Sequence, residues 1–320
     1  MAAPEYRAPR WLSNPHLQTI YGSLFVARPR VQYRRERWET PDGDFVDVDH
    51  VDAMPDAPWV VLFHGLEGSS GSPYARALMH RVALRGWRGT VVNFRGCSGE
   101  PNRLARAYHS GDYREVDWIL RRMKPLANGA PIYAAGVSLG GNALLVWLGE
   151  RGEEAAGIVS RAAAVSAPVD LMAAGEALGR GFSLLYARHF LATMKARAAA
   201  KHARFPGSFD LERMRRSRTL REFDDVVTAP LHGFLGTDDY WTRASAKPLL
   251  RRIAVPTLVL NARDDPFLPA QALPTPDDVS ASVTVEFPPR GGHVAFVSGS
   301  FPGNIDWLPA RLLHFFDHQE

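Results

Sequence analysis

The chain has 320 residues, 46% of them hydrophobic, and 38 basic against 34 acidic side chains give a formal net charge of +4; that is enough apolar material for one large core or two small ones. The charges are spread without the concentrated basic stripe that a duplex-binding surface needs, so nucleic acid is not an expected partner. A single cysteine, Cys97, excludes an intramolecular disulfide and a zinc cage built on several thiolates, and fits a reducing compartment.

The N-terminal stretch carries Glu5 and prolines where a signal peptide needs an apolar run, and no later window reaches the roughly 18 uncharged apolar residues of a membrane span, so a soluble cytoplasmic protein is expected. Two polar candidate strands follow, over 31–40 and 45–51. The Asp42-Gly43 pair between them favours a hairpin turn, so they should form an antiparallel edge. Asp47, Asp49, His50 and Asp52 crowd the second strand. Alternation puts Asp47 and Asp49 on one face and His50 and Asp52 on the other, which would enclose a common metal ion poorly; a solvated edge is the expectation.

Short apolar, β-branched runs then recur: WVVLF from Trp59, GTVVNF from Gly89, PIYAAG from Pro131, AAAVS from Ala162, PTLVLNA from Pro256 and VTVEF from Val283. Helix-like segments separate them, the signature of a parallel sheet covered on both faces. Among those segments, Val116, Ile119, Leu120 and Met123 fall at i, i+3, i+4 and i+7 and predict a helix over 112–124. The total is an α/β chain of about eight strands. Between the sixth and seventh, residues 169–247 break the alternation with a long, Arg- and Ala-rich, helical pattern that reads as an inserted cap. No internal repeat or heptad run supports a solenoid or a coiled coil.

Chemistry concentrates where strands end. Gly136-Val137-Ser138-Leu139-Gly140 matches G-x-S-x-G, preceded by an apolar strand and followed by an apolar helix pattern, the setting of a nucleophile elbow. Side chains at Gly136 and Gly140 would collide with neighbouring strand and helix, so glycine there lets the serine stand exposed in a strained turn. At the helix N-terminus the amide of Leu139 is free to donate to an anion. A serine needs a base and an orienting acid. The acid candidates are Asp264 and Asp265 after the seventh strand, two adjacent carboxylates that cannot both face one imidazole; the base candidate is His293 after the eighth. After the third strand, His64-Gly65-Leu66-Glu67-Gly68 is a tight loop from which the amide of Leu66 could complete an oxyanion hole with that of Leu139. His64 is expected to brace that loop. In the cap, Phe182, Leu185, Phe190, Leu191 and Met194 lie among basic residues and suit either the cover of an acyl pocket or packing on the sheet domain, with contact to a membrane surface allowed but not required. Tyr240 and Trp241 suit the pocket wall or the core equally.

These motifs resemble those of the α/β-hydrolase superfamily, and NPHLQTIYGSL, HGLEGSSGSPYA, FRGCSGEPNRLARAYHSGD, FDDVVTAPLHGF, DDYWTRAS, LNARDDPFLP and GGHVAFV resemble its YheT-like branch over nearly the whole chain. The resemblance implies one α/β-hydrolase domain over 1–320 with the cap at 169–247. It implies a cofactor-independent serine hydrolase acting on small-molecule acyl esters, short- to medium-chain or monoacylglycerol, as a carboxylesterase or acylglycerol lipase. Ser138 is then the nucleophile, His293 the base and Asp265, just before PFLP, the acid; Arg95 in FRGCSG is structural. Acyl transfer to an alcohol, attributed to some relatives, and a non-catalytic acyl-ligand binding protein are the alternatives. Oligomeric state is not legible.

Overall fold

The polar hairpin forms first. In the computed structural model, which describes residues 5–318 and so leaves the outermost positions of the expected 1–320 domain outside, β1 (Arg34–Glu39) and β2 (Phe45–Val51) pair antiparallel, with Arg35 opposite Asp49 and Arg37 opposite Asp47. Six further strands follow: β3 (Trp59–Phe63), β4 (Arg88–Asn93), β5 (Ile132–Val137), β6 (Arg161–Val165), β7 (Thr257–Leu260) and β8 (Val283–Glu286). They make one eight-stranded sheet in the order β1-β2-β4-β3-β5-β6-β7-β8. Only β2 runs against its neighbours; every pair from β4 to β8 is parallel.

One expectation fails at β2. It lies between β1 and β4, and its acidic cluster is solvated only at Asp52, which is exposed just past the end of the strand. Asp47 and Asp49 are buried, each held by two hydrogen bonds from the arginine opposite, Arg37 at 2.8 and 2.9 Å and Arg35 at 2.7 and 2.9 Å. The forked guanidinium matches a carboxylate in two bonds, so each charge is neutralised where it is buried. His50 is buried too, with Nδ1 2.8 Å from Thr90 Oγ1.

Helices cover both faces because the buried strands are apolar on both. On β3, Trp59, Val61 and Phe63 face one core and Val60 and Leu62 the other. The first core takes α3 (Tyr113–Leu126) and α4 (Leu139–Arg151); the second takes α2 (Pro73–Leu84) and the C-terminal helix. The predicted stripe of α3, Val116, Ile119, Leu120 and Met123, is fully buried. At the N-terminus, α1 (Pro15–Leu24) starts where Asn14 Oδ1 accepts the Leu17 amide at 3.1 Å with Pro15 at the first helical position, the arrangement expected of a capped start.

After α5 (Glu153–Ala156) and β6, the stretch before β7 is helical: α6 (Leu171–Leu178), α7 (Leu184–Arg204), α8 (Leu211–Arg216), α9 (Leu220–Phe223), a π-helical turn over Asp224–Thr228, α10 (Ala229–His232) and α11 (Thr237–Ala244). It has its own small core around Leu191, Met214, Phe223 and Val227. α12 (Trp307–Asp317) closes the chain against α2. Among the described residues no helix is long and apolar enough to cross a membrane.

Candidate active site

The site starts with backbone strain at one residue. β5 ends at Val137 and α4 begins at Leu139, so Ser138 alone makes the turn, with φ 53° and ψ −121°. A non-glycine residue avoids that region unless its surroundings hold it there. Here they do: the Ser138 amide donates to Val165 O at 2.8 Å and its carbonyl accepts from Asn142 N at 3.0 Å. The flanking glycines are dictated by contact. A Cβ at Gly136 would lie 2.5 Å from Gly140 O, and one at Gly140 would lie 2.4 Å from Phe63 O and 2.5 Å from His64 O. Strand, turn and helix can therefore pack this closely only without those side chains.

Two distant loops bring the base and the acid candidates to this serine. His293 Nε2 lies 3.0 Å from Ser138 Oγ, and His293 Nδ1 lies 2.9 Å from Asp265 Oδ2 and 3.1 Å from Oδ1. The Asp265 side chain has no solvent exposure, and its Oδ1 also accepts the Phe267 amide at 2.8 Å. Asp264 turns away. Its Oδ1 accepts the Gly292 amide at 3.0 Å, and burial raises its pKa. Of the two adjacent carboxylates, only that of Asp265 meets the imidazole.

Sequence reasoning missed what holds His293. The Phe267 ring stacks on the imidazole at 4.0 Å between centroids and 16° between planes. The His293 amide donates to Thr19 Oγ1 at 2.9 Å, and that hydroxyl donates to Pro15 O at 2.8 Å. The next amide, of Val294, donates to Ser166 Oγ at 3.1 Å. The available signal is the NPHLQT string, which ends on Thr19.

The Leu66 loop approaches from the other side: a Cβ on Gly65 would lie 3.1 Å from Ser138 Cβ. Tyr74 Oη accepts the Gly65 amide at 2.8 Å and Tyr108 Oη accepts the Glu67 amide at 2.9 Å. The amides flanking Leu66 are thus pinned, while those of Leu66 and Leu139 make no hydrogen bond among the described residues. His64 is the brace expected of it. It is buried, Nδ1 donates to Gly65 O at 2.7 Å, Nε2 accepts the Phe94 amide at 3.1 Å, and burial lowers its pKa to about 4. A neutral ring with both nitrogens occupied has no capacity left for a proton from Ser138. Arg95 is also structural, its guanidinium donating to Asp42, Asp44 and Glu115.

Ser138, His293, Leu66 and Leu139 open onto one cavity of about 490 Å³. Its walls beyond the polar mouth are largely apolar, including Leu178, Phe190, Met194, Phe223 and Val227 from the helices between β6 and β7. Phe190 and Met194 thus take the lining position anticipated for them. Leu191 is buried in the small core of those helices, and Phe182 and Leu185 are exposed. Tyr240 and Trp241 are both buried and part of the wall. Cys97 is buried beside Arg197, whose Nη1 is 3.1 Å from Sγ, and burial pushes the thiol up to about 11, far from a reactive thiolate.

Residues 58–300 match the protein family described as alpha/beta hydrolase fold. The YheT protein of Escherichia coli (strain K12) is 42% identical over 316 residues, spanning 97% of this chain and 92% of its own. Phospholipase ABHD3 of Mus musculus is 32% identical over 315 residues, 95% of this chain and 76% of its own. Among solved structures, the Pyrococcus furiosus esterase Pf2001 superposes with a TM-score of 0.57 at 15% identity, over 92% of this chain and 97% of its own; at that identity the likeness bears on the fold alone.

Proposed function

The chain belongs to the alpha/beta hydrolase fold family, and we propose that it is a serine hydrolase that cleaves small-molecule carboxylic esters through an acyl-enzyme. The observation that carries this reading is the continuous hydrogen-bond chain Ser138 Oγ, His293 Nε2 at 3.0 Å, His293 Nδ1, Asp265 Oδ2 at 2.9 Å.

The chemistry follows from those positions. Ser138 Oγ attacks the ester carbonyl carbon while His293 Nε2 takes its proton; the C–O bond to the alcohol then breaks as the imidazolium returns that proton to the leaving oxygen. Water, deprotonated by the same nitrogen, attacks the acyl carbon; the bond to Ser138 Oγ breaks as the imidazolium returns the proton to that oxygen, and the carboxylic acid leaves with the serine restored. Asp265 keeps the proton of the neutral ring on Nδ1, so that Nε2 offers a lone pair, and it stabilises the imidazolium formed midway. The free amides of Leu66 and Leu139 donate to the oxyanion, a contribution on the order of 3 kcal/mol per donor. The whole chain acts as one α/β-hydrolase domain in this reading, with residues 169–247 a cap whose apolar walls select the acyl group. Short- to medium-chain esters or monoacylglycerols are the substrate class, a size compatible with a cavity of about 490 Å³.

The test is a panel of acyl esters of graded length with purified protein, run beside labelling by an organophosphorus serine probe, for the wild type and Ser138→Ala. Ester cleavage and labelling are expected to disappear together in the variant. Cleavage that survives Ser138→Ala refutes the assignment. Product analysis with added ethanol or glycerol separates hydrolysis from acyl transfer on the same intermediate.

A further inference from the structure

An amphipathic helix on a folded protein normally turns its apolar stripe inward. α1 does the reverse. Its buried residues are Gln18, Thr19 and Gly22, whereas Leu17, Leu24 and Phe25 at its end are 56%, 65% and 66% exposed. Each inward residue has a structural task. Gln18 donates to Leu12 O, Thr19 holds the His293 amide, and a Cβ on Gly22 would lie 2.3 Å from Ala295 Cβ. The helix is thus fixed on the His293 loop by its small and polar side; Tyr21 packs on a small core with Leu12 and Val26, and Leu17, Leu24 and Phe25 are left facing out.

The exposed apolar surface extends past the helix on both flanks. Trp11 packs edge-on against Tyr21 of α1 at 5.2 Å and against Phe301, itself 75% exposed, at 5.4 Å. On the other flank the His16 ring meets Phe182 at 4.5 Å, at the start of the segment leading into α7, where Phe182 and Leu185 are 52% and 54% exposed. Seven of the eleven large apolar side chains exposed among the described residues therefore lie on this one face. A single exposed leucine is ordinary; a clustered patch marks a contact surface.

Charge narrows the kind of partner. The chain is nearly balanced overall, but from Arg10 to Arg30 and again from Ala177 to Phe209 there is no acidic residue, while those stretches hold three and six lysines or arginines. Arg10, Arg28 and Arg188, beside the patch, are exposed and make no ion pair among the described residues. Exposed Leu, Phe and Trp together with arginines that no carboxylate neutralises is the composition that sits in the interface of an anionic bilayer. The face also reaches the cavity from behind: Tyr186 of α7 packs on Phe267 at 4.9 Å, and Phe267, Phe190 and His293 line the cavity.

We propose that this face, α1 with the start of α7 and the Phe301 loop, docks the protein peripherally on an anionic lipid surface. Its use in turnover rests on the ester-hydrolase reading above; the docking does not.

Flotation with phosphatidylcholine vesicles, with and without phosphatidylglycerol, tests it on the 320-residue chain. The wild type is expected to float with the anionic vesicles, less with phosphatidylcholine alone, and to be released by salt. The triple variant Leu17→Ser/Leu24→Ser/Phe25→Ser should bind at least about tenfold more weakly, and Arg10→Ala/Arg28→Ala/Arg188→Ala should lose the preference for phosphatidylglycerol. Turnover of a water-soluble ester and the thermal melt serve as checks that each variant is folded. Three results overturn the proposal: a wild type that stays with the soluble fraction, full binding by the serine variant, or a wild-type dimer in sedimentation that becomes a monomer in that variant. The last assigns the face to a second copy of the chain. Loss of ester cleavage with vesicle binding intact bears on the hydrolase reading alone.

Discussion

Replacing Asp265 by asparagine should cost about 10³–10⁴ in kcat/KM, roughly 4–5.5 kcal/mol of transition-state stabilisation, although it changes one atom and no volume. The carboxylate has no exposure and receives two donors, the Phe267 amide at 2.8 Å on Oδ1 and the His293 Nδ1 proton at 2.9 Å on Oδ2. In Asp265→Asn the amide oxygen keeps the Phe267 N–H, so the NH₂ group takes the place of Oδ2 and points a hydrogen at Nδ1. Nδ1 must then be the acceptor and the ring proton moves to Nε2, 3.0 Å from Ser138 Oγ. An N–H faces the serine instead of a lone pair, and the base is lost. Asp264→Asn is the control. Its Oδ1 accepts the backbone amide of Gly292, which an amide oxygen also accepts, so a fall of less than about threefold is expected. Steady-state ester hydrolysis on both purified variants, with thermal melts to establish folding, measures the pair. A collapse in Asp264→Asn with near-normal turnover in Asp265→Asn would refute the reasoning.

Thr19→Val leaves the His293 amide without its acceptor and should lower kcat by on the order of tenfold with KM little changed; Thr19→Ser, which restores the hydroxyl, should recover it, and failure of that rescue argues against a positioning role. Burial lifts the Asp224 carboxyl from an ordinary 3.8 to about 6. The folded chain therefore holds this proton more tightly than the unfolded one, and stability falls by up to about 3 kcal/mol as pH rises from about 4 to about 6. Urea unfolding of wild type and Asp224→Asn should give a stability difference that grows in the variant's favour over that window; a pH-independent difference refutes it.

The order of elements was legible because strands buried on both faces must be apolar throughout, and runs such as those from Trp59 and Pro131 have no other reading at that length. The elbow was legible for a related reason: two glycines flanking Ser138 are demanded by backbone contacts of about 2.5 Å, and such demands leave a fixed spacing in sequence. What failed at Asp47 and Asp49 was neighbourhood. Their neutralising partners, Arg37 and Arg35, are their direct cross-strand neighbours in β1, so the signal lay in the register across the Asp42-Gly43 turn. The hold on His293 had no such local signal. Thr19 and His293 are separated by 274 positions, and nothing in either stretch names the other.

α1 shows the same limit in a sharper form. Residues 17, 21, 24 and 25 carry Leu, Tyr, Leu and Phe at i, i+4, i+7 and i+8, a stripe that by periodicity alone belongs against a core. Periodicity tells which residues share a face and nothing about where that face points. The direction is set by the opposite side, where a glycine is needed for close approach to Ala295 and a threonine to hold the His293 backbone. If the His293 loop dictates which side of α1 turns inward, Leu17, Leu24 and Phe25 have no core left to enter. Their exposure then follows from the geometry of the site, and a lipid surface is the partner that would turn that exposure to use.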